Sequence, residues 1–135
     1  MTERDTTLEA ALLALRLGLT ILFAVWALDK LLAPDHAKNV LAIFYGQDKD
    51  AISDTLPLVL GLSQLVLVIA FAIGALKTVT YGALLAMHAV TTIVSLKMHL
   101  DPFAVPNILF WANWPILGAL VALFLLRHRD RMLSV

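Results

Sequence analysis

Cysteine is absent from the 135 residues. The chain therefore has no disulfide framework, no thiolate metal site and no redox-active thiol pair, and thiol–disulfide exchange within it is excluded. Charge is also scarce: 15% of residues are charged and 61% are hydrophobic, where a soluble domain is about a quarter charged and about half apolar. The ten basic residues are balanced by ten acidic ones, so no global field draws the chain to nucleic acid. Also missing are a phosphate-binding glycine loop, a nucleophile elbow and paired intramembrane carboxylates. Hydrolase, kinase and proton-pump readings thus lack their parts.

What the chain does have is apolar runs of membrane-spanning length. Four of them, 8–32, 56–76, 79–97 and 107–126, leave almost nothing over, so the reading is all-α: one integral membrane domain over 1–135, a four-transmembrane-helix bundle. Thr6 or Thr7 followed by Glu9 suits the first helix start, and Ala33-Pro34-Asp35 stops it, because proline disfavours helix in the residue before it. Pro57 sits in the first turn of the second run, where its missing N–H is harmless. Lys77-Thr78 reads as the tight turn into the third run, and Asn107 as the cap of the fourth.

The segment from Pro34 to Thr55 carries Asp35, His36, Lys38, Asp48, Lys49, Asp50 and Asp54 and stays outside the hydrocarbon. Within it Ala37, Val40, Leu41 and Phe44 recur at helical spacing. They predict a short amphipathic interfacial helix between helices 1 and 2, ended by Gly46; the alternative is an irregular loop. Four spans put both termini on one side. Arg4, Lys77, Arg127, Arg129 and Arg131 lie there, against Lys30, Lys38, Lys49 and Lys97 opposite. The basic carboxy-terminal cluster places the termini in the cytoplasm under the positive-inside rule.

Polar residues interrupt the runs. Arg16 falls about 12 Å into the first helix at 1.5 Å per residue, where an arginine costs roughly 2.5–3.5 kcal/mol on insertion scales. Either it holds an anionic or quinone-like ligand, or its stem snorkels to headgroups or bonds to helix carbonyls. His88 reads at a similar depth on the third helix, Gln64 near the midplane of the second, and Asn113 on the fourth beside Trp111, Trp114 and Pro115. Arg16, Gln64, His88 and Asn113 are the candidate ligand-binding set; the alternative is interhelical hydrogen-bonding, worth under about 2 kcal/mol each. Asp29 and Lys30 at the outer end of the first helix form either a pocket mouth or an interfacial anchor. Adjacent helical residues point about 100° apart, so these two are expected to pair across the bundle, for example with Lys97 or His99, rather than with each other. The histidines lie at scattered depths, and no metal motif or bis-histidine haem pair emerges. Gly18, Gly61, Gly74, Gly82 and Gly118 are read as points of close helix approach.

Three stretches carry a family likeness. Leu15-Arg16-Leu17-Gly18, followed by Leu28-Asp29-Lys30-Leu31-Leu32 and Pro34, resembles the first helix of the DoxX-like superfamily of small four-helix membrane proteins. Leu56-Pro57 through Gly61 to Gly74 resembles its second helix, and Asn107 to Arg129 is similar in general character. The chain departs from the family pattern at Ala27-Leu28, where a glycine is usual, and at Gln64, where a glutamate is often found. Loss of that carboxylate weakens a proton-transfer role. The resemblance implies an accessory or assembly subunit of a membrane redox system in quinol oxidation, sulfur oxidation or oxidative-stress defence, in the bacterial inner membrane, with membrane oxidoreductase subunits as partners. It identifies no reaction.

Two functions follow as expectations. A non-catalytic accessory subunit would dock by its apolar faces and outer loop. A stand-alone binder of quinone or another lipophilic ligand would instead bring Arg16, Gln64, His88 and Asn113 together around a cavity of roughly 300 Å³ or more. A channel or transporter would need a homo-oligomer and a continuous polar path, and neither internal repeats nor discontinuous helices are evident.

Overall fold

A computed structural model describes residues 5–135. Arg4, counted above with the basic residues of the terminal side, lies outside them. The described residues form helices and turns, with no strand among them.

Helix α1 covers Thr6–Leu32. Its cap is Asp5, whose carboxylate accepts from the Leu8 N–H at 3.0 Å, so the helix starts one residue before the threonines expected to cap it. Its buried residues are Glu9, Leu12, Arg16, Leu19, Phe23 and Ala27. Steps of three and four place them on a single inward stripe. Helix α2, Pro34–Tyr45, is the expected amphipathic element, with Pro34 in its first turn and Gly46 ending it in the left-handed conformation at φ 66°. Its apolar side meets the bundle: Ala37 is buried and Phe44 packs on Phe110 at 5.6 Å between ring centres.

Helix α3, Thr55–Ala72, stops short of the expected end at residue 76. The turn lies at Ile73–Leu76, not at Lys77-Thr78, and those two residues begin helix α4, Lys77–Val94. Two backbones reverse the chain there, Gly74 at φ 68° and Leu76 at φ 46°. After α4 come a single turn, α5 (Leu96–His99), and a loop containing a cis Val105–Pro106 bond. The last apolar run is composite: a 3-10 segment over Asn107–Ala112 precedes α6, Asn113–Leu125. Asn107 makes no cap; its side-chain amide donates to the Asp101 carbonyl at 3.0 Å. Pro115 offers no N–H to the Trp111 carbonyl, so the α-helical ladder cannot continue back through that point.

α1 packs chiefly on α3 and α4 chiefly on α6, and the two pairs join through α3 with α4 and α1 with α6. Leu12, Leu19, Phe23, Val68, Phe71, Tyr81, Leu84, Leu120 and Leu123 make the shared core. Around it the usual arrangement is inverted. Arg16, Gln64, His88, Asn113 and Asp130 are buried, while Ile21, Val66, Ile93 and Leu125 are each about two-thirds exposed. Such a surface suits lipid, which has no polar partner to offer a backbone or side chain.

Among the described residues three helices are long and apolar enough to cross a membrane: Thr6–Leu32, Thr55–Ala72 and the composite Asn107–Leu125. The four-span expectation is thus met in three by length and composition. α4 has the 18 residues of α3 but spends several on Thr80, Tyr81, His88, Thr91 and Thr92.

Candidate functional site

Polar groups gather at two levels. The first is built around Arg16. Its guanidinium is fully buried and its Nη2 donates to the carbonyls of Met132 at 2.6 Å and Leu133 at 3.2 Å. Residues 126–135 therefore do not trail away from the last helix; they fold back across the end of the bundle. Asp130, also fully buried, accepts a 2.6 Å hydrogen bond from the Tyr81 hydroxyl, and its Oδ2 lies 3.6 Å from Arg16 Nη1. Lys77 donates to the Asp130 carbonyl and, at 2.7 Å, to Ser134 Oγ. The Val135 N–H closes the arrangement on the Ile73 carbonyl at 3.0 Å. Gly74 makes it possible, since a Cβ there would stand 2.4 Å from Arg16 Nη1 and 2.5 Å from Ser134 Cβ.

The second level lies about 10 Å deeper, seven residues along α4 from Tyr81 to His88. His88 is fully buried, stacked on Trp26 at 6.1 Å and 19° and edge-on to Phe23 at 6.1 Å. Its Nε2 is 3.0 Å from the Asn113 carbonyl oxygen, which can only accept, so Nε2 carries the proton. Nδ1 is buried with no hydrogen-bond partner. The Asn113 amide donates to Ser95 Oγ at 3.0 Å, and Ser95 and Thr92 donate in turn to carbonyls of α4. Gln64 joins from α3, donating to the Phe23 carbonyl at 3.4 Å.

Of the four proposed ligand-binding residues, His88 and Asn113 are joined directly, and Gln64 reaches the backbone of Phe23, whose ring packs on His88. Arg16 does not join them. Its expected depth is corrected: it lies level with Tyr81 and the α3–α4 turn, because α1 begins about 15 Å of helix before that level while α4 starts beside it. The carbonyls it finds are those of the carboxy-terminal tail, not of its own helix.

At the opposite end Asp29 pairs with His36 of α2 at 2.8 Å, seven residues on, and not with Lys97 or His99. Lys30 turns back to the Trp26 carbonyl at 3.0 Å. Lys97 reaches the Ile43 carbonyl at 2.8 Å, and the His99 ring nitrogens lie 3.1 Å from the carbonyl oxygens of Ser95 and Phe110. Lys38 bonds to Asp54 and holds that carboxyl below its ordinary range, principally through the hydrogen bond. Asp29 thus ties α1 to α2, whereas Lys30 bonds back to α1 itself.

Two open hollows lie elsewhere. One, of about 380 Å³, is lined by Gly74, Lys77, Thr78 and His128 among others, beside the tail. The other, of about 350 Å³, is formed by residues of the 102–109 loop. Neither includes Gln64, His88 or Asn113. Among the described residues no group of three His, Cys, Asp or Glu comes together to hold a metal ion.

Tyr81, Asp130 and Lys77 belong to the polar cluster around Arg16, although none of them stands out in the sequence as a candidate. The available signal was a solitary acid inside the basic run Arg127-His128-Arg129-Asp130-Arg131, in a chain with a buried arginine to neutralise. No family model, curated protein or solved structure matches the chain.

Proposed function

We propose that the chain is a multi-pass membrane protein whose four long helices all cross the bilayer with both termini cytoplasmic, and that it acts as a non-catalytic accessory or assembly subunit of a membrane redox system. The observation that carries this reading is how the polar interior is used. Arg16, Tyr81, Asp130, Gln64, His88 and Asn113 are turned inward onto one another, the tail or the backbone. The outward faces are apolar and without polar partners. Interior groups engaged in this way hold a scaffold together, and the long apolar faces are what such a scaffold offers to a neighbouring membrane subunit.

A fourth crossing by α4 agrees with its sidedness. Val79, Val90 and Ile93 are exposed while Thr80, Tyr81, His88 and Thr92 are buried, so its polar content faces protein rather than lipid. At 1.5 Å per residue its 18 residues reach about 27 Å, the same as α3. The redox assignment and the bacterial inner membrane rest on the DoxX-like resemblance of the Leu15–Gly18, Leu28–Pro34 and Leu56–Gly74 stretches.

The second reading, a binder of quinone or another lipophilic molecule, is favoured by one observation. His88 Nδ1 is a buried acceptor without a donor, on a ring stacked against Trp26, and a hydroxyl-bearing aromatic ligand would satisfy it. One experiment separates the two readings: extraction of the tagged protein from its native membrane in mild detergent, with co-eluting proteins and extracted quinones identified by mass spectrometry. A stoichiometric oxidoreductase is the expected result. A protein that elutes alone with quinone, lost on His88→Ala, would replace the accessory reading by the second.

A further inference from the structure

Arg16 and Asp130 are both fully buried, yet they are not paired as a structural ion pair would be. A guanidinium and a carboxylate that meet directly form two parallel hydrogen bonds. Here the closest approach is 3.6 Å, beyond a hydrogen bond, and Nη2 is spent on main-chain carbonyls. Arg16 Nε and Asp130 Oδ1 are left buried without partners. One donor and one acceptor in the same cluster are unused.

The tail that delivers Asp130 is held by polar contacts rather than by burial. Leu133 and Val135 are about four-fifths exposed, so the fold-back buries little of its apolar surface. Its ties are the Arg16 bonds to Met132 and Leu133, the Lys77 bonds to Asp130 and Ser134, and the Val135 bond to Ile73. All of these can be exchanged for a competing anion and water. Lys77 also lines the open hollow of about 380 Å³ beside the tail, with Thr78 and His128, and Gly74 leaves a side-chain-free floor between the hollow and Arg16.

We propose that Arg16, Tyr81 and Lys77 form an oxyanion-binding site that the chain's own Asp130 occupies in this state, and that an external phosphate group displaces the tail to take its place. A phosphate presents several acceptor oxygens. It accepts from Arg16 as a fork, through Nε, the donor now idle, and Nη2, released as the tail carbonyls leave, and also from the Tyr81 hydroxyl and from Lys77. Its source is either an anionic phospholipid headgroup at the bundle end or free phosphate in solution. The inference is independent of the accessory-subunit reading, since it requires no partner protein.

The absence of native cysteine makes the test direct. Val135→Cys carrying a nitroxide label reports tail mobility by electron paramagnetic resonance in the full chain, reconstituted in phosphatidylcholine nanodiscs. The tail is expected to be immobile in chloride, and to become mobile on titration with inorganic phosphate at matched ionic strength, on replacing part of the lipid by phosphatidylglycerol, or both. A response to inorganic phosphate assigns the site to the free ion, and a response to phosphatidylglycerol alone assigns it to the headgroup. Asp130→Asn removes the internal competitor, so its midpoint should fall by about tenfold, because the apparent dissociation constant is the intrinsic one divided by the fraction of molecules with the tail already out. If wild-type spectra in saturating phosphate and in phosphatidylglycerol match the chloride control, the cluster is a lock and the proposal fails. It fails equally if chloride at the same ionic strength frees the tail as well. The wild-type measurements decide even where the variant does not fold.

Discussion

A single arginine shapes one end of this molecule. Taking two ions out of water costs several kcal/mol each, and their attraction returns this only with good geometry and further hydrogen bonds; removing one partner alone costs about 3–5 kcal/mol. Asp130→Ala should therefore lower the thermal unfolding midpoint in detergent sharply. The Arg16→Met, Asp130→Ala double variant should lose clearly less than the sum of the single changes, since neither charge is then left alone. Gly74 is subject to a different constraint. An alanine there meets Arg16 and Ser134 at overlapping distances in a left-handed backbone, so Gly74→Ala should cost upwards of about 2 kcal/mol from strain and overpacking together. Gly118→Ala is the control: nothing lies within 4 Å of the added carbon, and a change within about 0.5 kcal/mol is expected by the same melt. The five glycines expected at close helix approaches are thus not equivalent. Gly61, Gly74 and Gly82 sit against neighbours, whereas Gly18 and Gly118 face open space.

Among the elements, α2 and the last apolar run behave in ways their composition alone would not specify. α2 is joined to the start of α3 by the Lys38–Asp54 bond, and Asp54 titrates below its ordinary range because of it. A carboxyl lowered in the folded state contributes stability above its unfolded pKa and loses it as pH falls through the folded value. Amide hydrogen exchange in α2 should accordingly quicken as pH drops below the usual carboxylate range, after correction for the intrinsic rate. Asp54→Asn should reproduce the acid behaviour at neutral pH, and an α2 that exchanges in this variant as it does in the wild type at neutral pH would remove the bond from the account. The composite run Asn107–Leu125 has a simple length argument. α6 alone reaches about 20 Å, and the six residues of 3-10 winding add about 12 Å at their larger rise, which together match a hydrocarbon core of about 30 Å.

At the scale of the whole molecule the question is how many times the chain crosses. Single cysteines at Thr78 and Asp101 bracket α4, and cysteines at Arg129 and Asp48 mark the two ends of the bundle. In intact vesicles an impermeant thiol reagent should reach Thr78→Cys from the side that labels Arg129→Cys, and Asp101→Cys from the side that labels Asp48→Cys. Labelling of Thr78→Cys and Asp101→Cys from the same side would leave α4 as a re-entrant or surface helix and the bundle with three crossings. The inverted distribution of polarity makes this assay clean, because the apolar outer faces of all four long helices should resist an aqueous reagent.

Much of the fold was legible from the pattern of residues. Long apolar runs impose helices because lipid leaves no other way to satisfy a backbone, and Pro34, Gly46 and the Ala37–Phe44 spacing place α2 by local chemistry. The pairing of His88 with Asn113 was legible in part, since polar residues at depth need a partner, whereas Gln64 takes the Phe23 carbonyl instead. What the sequence by itself could not determine is axial register, meaning how far α1 extends past the α3–α4 turn. An apolar helix slides along its neighbours with little change in side-chain character, so the depth of Arg16 depends on packing rather than on counting. Nor does composition say that residues 126–135 turn back. That is decided only in the tertiary structure, where a buried guanidinium at the bundle end, bonded also to the Tyr81 hydroxyl, gathers Asp130 and the carbonyls of Met132 and Leu133 around it.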